Sequence, residues 1–184
     1  MYIYGRILER TIHDRNEIII EKNIAYIQLY DRYCKPTEKA IIDNEDVDLC
    51  KKYKWSLTAY GYATARIGKK RTLLHNFVMN RNGSLKVQAD HKNRIRHDCR
   101  KSNLRICTCS ENKYNVGLMS TNTSGFRGVY LNKGKWVAEI KAKHKYHCLG
   151  RFVDKIEAAK VRDKAALELH GKFAFLNFPV EARL

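Results

Sequence analysis

Asp90 and His91 stand side by side at the end of a short apolar run, Asn103 follows after eleven residues, and Asn112 after eight more. Hydrolysis of a phosphodiester at neutral pH needs a base for the attacking water, a Lewis acid for the charge growing on the phosphate oxygens, and fixed geometry. These residue types supply all three. Histidine is the side chain whose ordinary pKa lets it take a proton near pH 7, which makes His91 the candidate base. Asp90 and the amide oxygen of Asn112 are hard oxygen donors of the kind Mg²⁺ accepts, with water and phosphate filling the remaining positions. Asn103 suits the second imidazole nitrogen of His91, where a hydrogen-bond partner fixes the tautomer. Asn115, three positions beyond Asn112, is the alternative oxygen ligand. His75 lies in an apolar stretch and reads as packing or as a donor behind the site, while His13, His97, His144, His147 and His170 take no part in the chemistry.

For these side chains to meet, the chain must double back. Val87 to His91 reads as a strand, Lys92 to Ser102 as a basic loop of eleven residues, and Leu104 to Cys107 as a second strand opened by Asn103. A helix follows, with Thr108 and Glu111 spaced as a capping box. Strand, loop, strand and helix bring the end of the first strand to the first turns of the helix, where Asp90, His91 and Asn112 are expected to converge.

The pattern D-H-x11-N-x8-N, with L-L-H-N-F-V-M before it and S-N-L-R inside it, resembles the HNH family of homing endonucleases over roughly residues 72–116. The resemblance implies a ββα-metal fold in which Asp90 and Asn112 bind one divalent metal, Mg²⁺ or in its place Mn²⁺. It also implies that His91 is the general base and that Asn103 positions it. The loop departs from the family, running Lys92-Asn93-Arg94-Ile95-Arg96-His97-Asp98-Cys99, with Cys99 where Asn is frequent.

Upstream lies a β-rich lead-in. Ile24 to Tyr30 reads as a strand, Lys35-Pro36 as a turn, and Ala40 to Ile42 as a second short strand. A helix is expected next, capped by Asp43 or Asn44, with Glu45, Asp46 and Asp48 early and Lys51, Lys52 and Lys54 late, the charge order a helix dipole favours. Trp55 to Ile67 suggests a hairpin turning at Tyr60-Gly61, followed by Arg66, Lys69, Lys70 and Arg71 on display.

Gly117 to Gly125 has the Ser, Thr and Asn content of a linker. Beyond it, strands are expected at 126–130, 135–141 and 144–152. A helix opens at a D-x-x-E signal, Asp154 and Glu157, with Ala158, Val161, Ala165 and Leu169 on one face and Gly171 at its end. Strand alternation places Trp136, Ala138 and Ile140 on one side of the middle strand and Lys135, Val137, Glu139 and Lys141 on the other. Through F-R-G-V, K-W-V-A-E-I, L-G-R-F, E-A-A-K, D-K-A-A and L-N-F, residues 124–178 resemble the ethylene-response-factor (Apetala-type) DNA-binding domain. By that resemblance the sheet lies in the major groove, and Arg127, Tyr130, Lys135, Glu139, Lys141, Arg151 and Arg162 touch DNA. Cys148 stands where a contacting Trp is usual in the family, so the family's sequence preference does not carry over.

The expected architecture is therefore α+β. A ββα-metal nuclease module with its β-rich lead-in spans residues 1–118, its core at 72–116, and a three-stranded antiparallel sheet packed on one helix spans 122–180. Charge agrees with a polyanionic partner: 36 Lys and Arg against 19 Asp and Glu leave +17. Residues 1–55 carry none of that excess (10 − 10 = 0), residues 56–120 carry 13 − 3 = +10, and residues 121–184 carry 13 − 6 = +7. The expected partner is double-stranded DNA, with no small-molecule cofactor beyond the metal. Membrane association is not expected, because the basic residues interleave with strands instead of marking one helical face. Without a signal-length apolar run, and with six cysteines lacking any C-x-x-C pair, the reading is an intracellular protein, in the host cytoplasm if phage- or virus-encoded. The rival from another class is a non-catalytic, sequence-specific DNA-binding regulator with a vestigial HNH fold. Retention of all four role-bearing residues argues against it.

Overall fold

A computed structural model describes residues 2–3, 6–7, 10–11, 13–80 and 87–179. Its elements form several small antiparallel sheets with few helices, an α+β arrangement, grouped into two compact units. One unit takes in the chain to Leu85 together with His91–Ile106, and the other Lys86–Asp90 with Cys107–Leu184. Among the described residues no helix is long and apolar enough to cross a membrane.

In the first unit a two-residue pair, β1 (Tyr2–Ile3) and β2 (Arg6–Ile7), precedes the sheet of β3 (Ile18–Glu21), β4 (Ile24–Tyr30) and β5 (Pro36–Asp43). Alternation on β4 turns Ala25, Ile27 and Leu29 inward, where they meet Ala40 and Ile42 of β5 in the core. The helix expected after Asp43 is only a 3₁₀ turn, Asn44–Asp46, and one α-turn, α1 (Val47–Cys50). Asp43 does not cap it; Oδ2 of Asp43 accepts from the backbone N–H of Lys101, 2.7 Å away. Trp55 of β6 (Trp55–Leu57) fills the same core, its indole N–H donating to the Cys50 carbonyl at 2.9 Å. The hairpin to β7 (Ala63–Ile67) turns at Gly61, with φ +79°, as the sequence suggests. The adjoining β8 (Lys70–Leu73) runs straight into α2 (Leu74–Val78), the L-L-H-N-F-V segment.

β9 (Gln88–His91) and β10 (Leu104–Cys107) form a two-stranded ribbon, and the division between the units runs through it. The capping box of α3 (Cys109–Tyr114) is present: the Thr108 hydroxyl accepts from the Glu111 N–H, and the Glu111 carboxylate accepts from the Thr108 N–H at 2.7 Å.

The second unit carries β11 (Val129–Asn132), β12 (Lys135–Ala142) and β13 (Lys145–Phe152) in sequential antiparallel order, with α4 (Lys155–His170) behind them. Asp154 caps α4 by accepting from the N–H groups of Ile156 and Glu157. The buried stripe of α4 differs from the expected one. It consists of Ala158, Ala159, Arg162, Asp163, Ala165, Ala166 and His170, and Leu169 is exposed. Small alanines let the helix lie close on Val129, Ala138 and Ile140, and that choice of face turns Leu169 outward. Opposite Ala138, the register steps from Gly150 to Cys148, a bulge that leaves Leu149 unpaired on the strand and packed into the helix-side core.

Candidate functional site

His91 is 5% exposed, at the end of β9. His75 on α2 meets it edge-on, ring centroids 4.9 Å apart at 89°, and Tyr62, entering β7, lies 6.1 Å from His91 and 5.6 Å from His75. The guanidinium of Arg96 covers the Tyr62 ring at 5.2 Å. His75 is thus the packed neighbour that its apolar setting suggested. Tyr62 was not foreseen, although the turn at Tyr60-Gly61 is what delivers it.

Asn103 does not have the role assigned to it. Its side-chain oxygen accepts from the Asn93 N–H at 3.0 Å, and its amide N–H donates to the Asn93 side-chain oxygen at 3.0 Å and to the Asp98 carbonyl at 2.8 Å. With both ends of the amide committed to the loop, Asn103 shapes the turn that leaves His91. The Arg94 N–H donates to the His91 carbonyl and the Lys92 N–H to the Asn103 carbonyl, closing that turn.

Asp98, the only acid in the basic loop, is the second organiser. Its carboxylate accepts from Arg100 Nε (2.8 Å) and Nη2 (2.7 Å) and from the Asn93 amide (2.8 Å). Burial pushes its pKa up, but the Arg100 hydrogen bonds and charge, with help from Asn93, outweigh this and hold the carboxyl below its usual range. The loop is also sewn to β5: the Ile41 N–H donates to the His97 carbonyl at 2.8 Å, and the Cys99 N–H to the Ile41 carbonyl at 2.7 Å. Cys99 is fully buried in the core, where burial raises its thiol pKa. A cysteine at this position serves the packing of the core.

In the second unit, Asp90 is 5% exposed and both its oxygens accept from the Asn115 amide, at 3.0 and 3.1 Å. Asn112, the expected ligand, instead donates to the Gln88 side-chain oxygen at 2.7 Å. The two asparagines lie three apart and face the same way, but only the one at the C-terminal cap of α3 reaches the carboxylate. Of the two alternatives in the sequence, Asn115 is the one paired with Asp90. Among the described residues no cluster of three or more His, Cys, Asp or Glu is placed to hold a metal. A cation here would therefore rest on Asp90 with amide, water and phosphate oxygens.

The face of the C-terminal sheet turned away from α4 carries most of the expected DNA contacts. Register pairs Tyr130 with Val137 and Val137 with Arg151, Glu139 with Cys148, and Lys141 with Tyr146, so these share one face with Lys135. Lys135, Lys141 and Arg151 are exposed, and Tyr130 is 42% exposed. Tyr146, which the sequence reading left out, sits 4.7 Å beneath the Lys141 ammonium. Gly128 permits the sheet to form: a Cβ there would lie 2.4 Å from the Glu139 carbonyl oxygen.

Two expected contacts are elsewhere. Arg162 is 2% exposed on the buried side of α4, bonded to Asp163 and to the Phe175 carbonyl, so it belongs to the core and not to a DNA surface. Arg127 spends its guanidinium on the carbonyls of Lys113 (2.9 Å), Tyr114 (2.7 Å) and Val116, over the Phe175 ring.

Comparison with known proteins gives a partial likeness. Over 63 residues the chain is 44% identical to the ethylene-responsive transcription factor ERF025 of Arabidopsis thaliana. The match takes in 33% of this chain and 27% of the relative, so the chain spans about a quarter of the length of the curated relative it matches. No family model matches. No solved structure matches. The likeness supports a domain of the ethylene-response-factor type within the chain.

Proposed function

We propose that the chain is a metal-dependent DNA endonuclease of the HNH type, directed to duplex DNA by its C-terminal sheet. One observation carries the nuclease half: a buried carboxylate, Asp90, held through both oxygens by the Asn115 amide, immediately precedes a buried imidazole, His91, in the chain. In this reading Asp90 and Asn115 would hold Mg²⁺ or Mn²⁺, hard cations that prefer oxygen donors, with the Asn115 amide turned so that its oxygen replaces the Nδ2 that donates to Asp90. Such a cation, when bound, would supply charge stabilisation on the phosphate. His91 takes the proton of the attacking water, with His75 and Tyr62 keeping its ring from turning. The DNA-binding half rests on the basic outer sheet face and on the 44% identity to an ethylene-responsive transcription factor.

Incubating supercoiled plasmid with the protein, with and without Mg²⁺, tests the reaction. Mg²⁺-dependent nicking is expected for the parent and its loss for Asp90→Ala. The relative's own description as a transcription factor favours a second reading, a DNA-binding regulator without catalysis. Duplex binding with no cleavage under any divalent cation would establish that reading and end the first.

A further inference from the structure

We infer that the C-terminal domain is also part of the scaffold of the Asp90 site, with Arg127 as a positioning residue for Asn115. The inference rests on the nuclease reading for its functional meaning, and on contacts within the second unit for its geometry. Helix α3 has only six residues and no buried side chain of its own, so it has little with which to hold itself in place. Its last carbonyls lack intrahelical partners, as at any helix end. Arg127 supplies them, forking onto the carbonyls of Lys113, Tyr114 and Val116, the three residues that bracket Asn115. A cation at a helix C-terminus is also favoured by the helix dipole.

Arg127 is itself fixed from behind. The Asn177 side-chain oxygen accepts from the Arg127 N–H at 2.7 Å, and its amide donates to the Arg127 carbonyl at 3.2 Å and to Asp163 on α4 at 3.0 Å. A second hold comes from Tyr114, whose ring stacks on His170 with centroids 3.7 Å apart at 5°. Nε2 of His170 lies 2.9 Å from the Lys141 carbonyl on β12. The path from the reading sheet and α4 to the Asp90–Asn115 pair is thus continuous. The two functions are not separable at Gly117: a chain ending there loses both holds on α3.

The test uses the full chain with Arg127→Ala and Arg127→Lys, since lysine keeps the charge but lacks the planar fork. Two readouts are taken: the Mg²⁺ concentration for half-maximal nicking, and the exchange rate of the Asn115 side-chain amide protons by NMR without metal. Arg127→Ala is expected to raise the half-maximal Mg²⁺ concentration about tenfold or more and to speed Asn115 amide exchange, with metal-free DNA affinity little changed. Arg127→Lys should recover part of both while folding like the parent. If instead Arg127→Ala weakened DNA binding, lowered its salt slope by about one unit, and left Mg²⁺ dependence and Asn115 exchange unaltered, Arg127 would be a phosphate contact and the inference would fail. Absence of nicking by the parent would overturn the nuclease reading alone, because the amide exchange still decides whether Arg127 positions Asn115.

Discussion

The surroundings of His91 and the outer face of the C-terminal sheet are both polar, and they are built on opposite rules. Beside His91 two buried polar side chains tie a basic loop together: Asn103 bonds to Asn93 and Asp98, Asp98 to Arg100, and the loop backbone to β5. On the sheet, Lys135, Lys141 and Arg151 are exposed to solvent at positions set by strand register. A buried polar group left without a partner costs free energy, so the bonds of Asn103 and Asp98 hold the loop in one arrangement. An exposed cation has no such constraint, and its geometry is completed by the polyanion it meets. Under the proposed nuclease reading, the difference is the one expected between a site that does chemistry and a surface that reads.

The largest effect should come from breaking the first region at its centre. His91→Ala is expected to slow cleavage by about 10²- to 10⁴-fold, the usual contribution of a general base. DNA affinity should stay near the parent value, measured by fluorescence anisotropy in metal-free buffer. Equal losses in cleavage and affinity would mean that His91 belongs to the binding surface, and the contrast would collapse.

Next in size is Gly128→Ala, aimed at the sheet itself. Gly128 has φ +73°, and an added Cβ would fall 2.4 Å from the Glu139 carbonyl oxygen, a backbone atom that cannot swing aside. A loss of about 3 kcal/mol is expected in urea unfolding, combining left-handed strain with a forced shift of β12. Parent-like stability would mean that the close approach of β11 and β12 is not needed. Asn103→Ala should cost somewhat less, about 1–3 kcal/mol, by stranding the carbonyl of the buried Asp98 and freeing the exposed Asn93 that closes the turn. A larger effect on cleavage than on stability would return Asn103 to a direct role at the imidazole.

These two regions also explain what could be read from the residues alone. The outer sheet face was legible in part because strand alternation is a local rule: Lys135, Glu139 and Lys141 follow from period two on the middle strand, whereas Tyr130 and Arg151 came from the family resemblance, and register places all five together. So was the start of α3, since a capping box is local. Asn112 and Asn115 were not distinguishable, because both lie on the same side of one helix and the choice is made by where Asp90 lies. Asn103 fits an imidazole or a loop equally well by type, and only the turn at Asn93 to Asp98 decides. Arg162 looked like a surface cation, yet the alanines around it draw that face of α4 onto the sheet and take the arginine inside. A buried arginine is rare enough that sequence pattern argues against it.

The regions should also weaken in different pH windows. His170 has its pKa lowered by burial, against the pull of the Lys141 carbonyl, so protonation is disfavoured in the folded chain. Its contribution is complete above the ordinary histidine value of about 6.5 and is lost as pH falls below it. Asp98 is also lowered, so its contribution is complete above about 4 and disappears only as pH falls further. Urea midpoints followed from pH 8 to 3 should therefore show the C-terminal unit softening first and the loop unit later. His170→Phe should flatten the first step and Asp98→Asn the second. A single step shared by both units, unaffected by either substitution, would show that other groups govern the acid response.

The smallest effect sharpens the reading surface. Lys141 is exposed, and its ammonium lies 4.7 Å over the Tyr146 ring, which limits its reach without tying it to a carboxylate. Lysine acts as a point charge, suited to a phosphate and lacking the bidentate fork that reads a base edge. Lys141→Ala is therefore expected to weaken binding to all duplex sequences alike and to reduce the slope of log affinity against log salt by about one unit, the counterion share of one phosphate. Nicking per bound complex should be unchanged, since the substitution removes nothing from the surroundings of His91. If the loss were confined to one base-pair position, at about 1–3 kcal/mol, Lys141 would be reading sequence and the sheet would be closer to the major-groove floor than a phosphate contact allows. If affinity and slope did not move at all, the outer face would not be the DNA surface, and the contrast between a fixed site and a waiting one would have to be drawn elsewhere in the molecule.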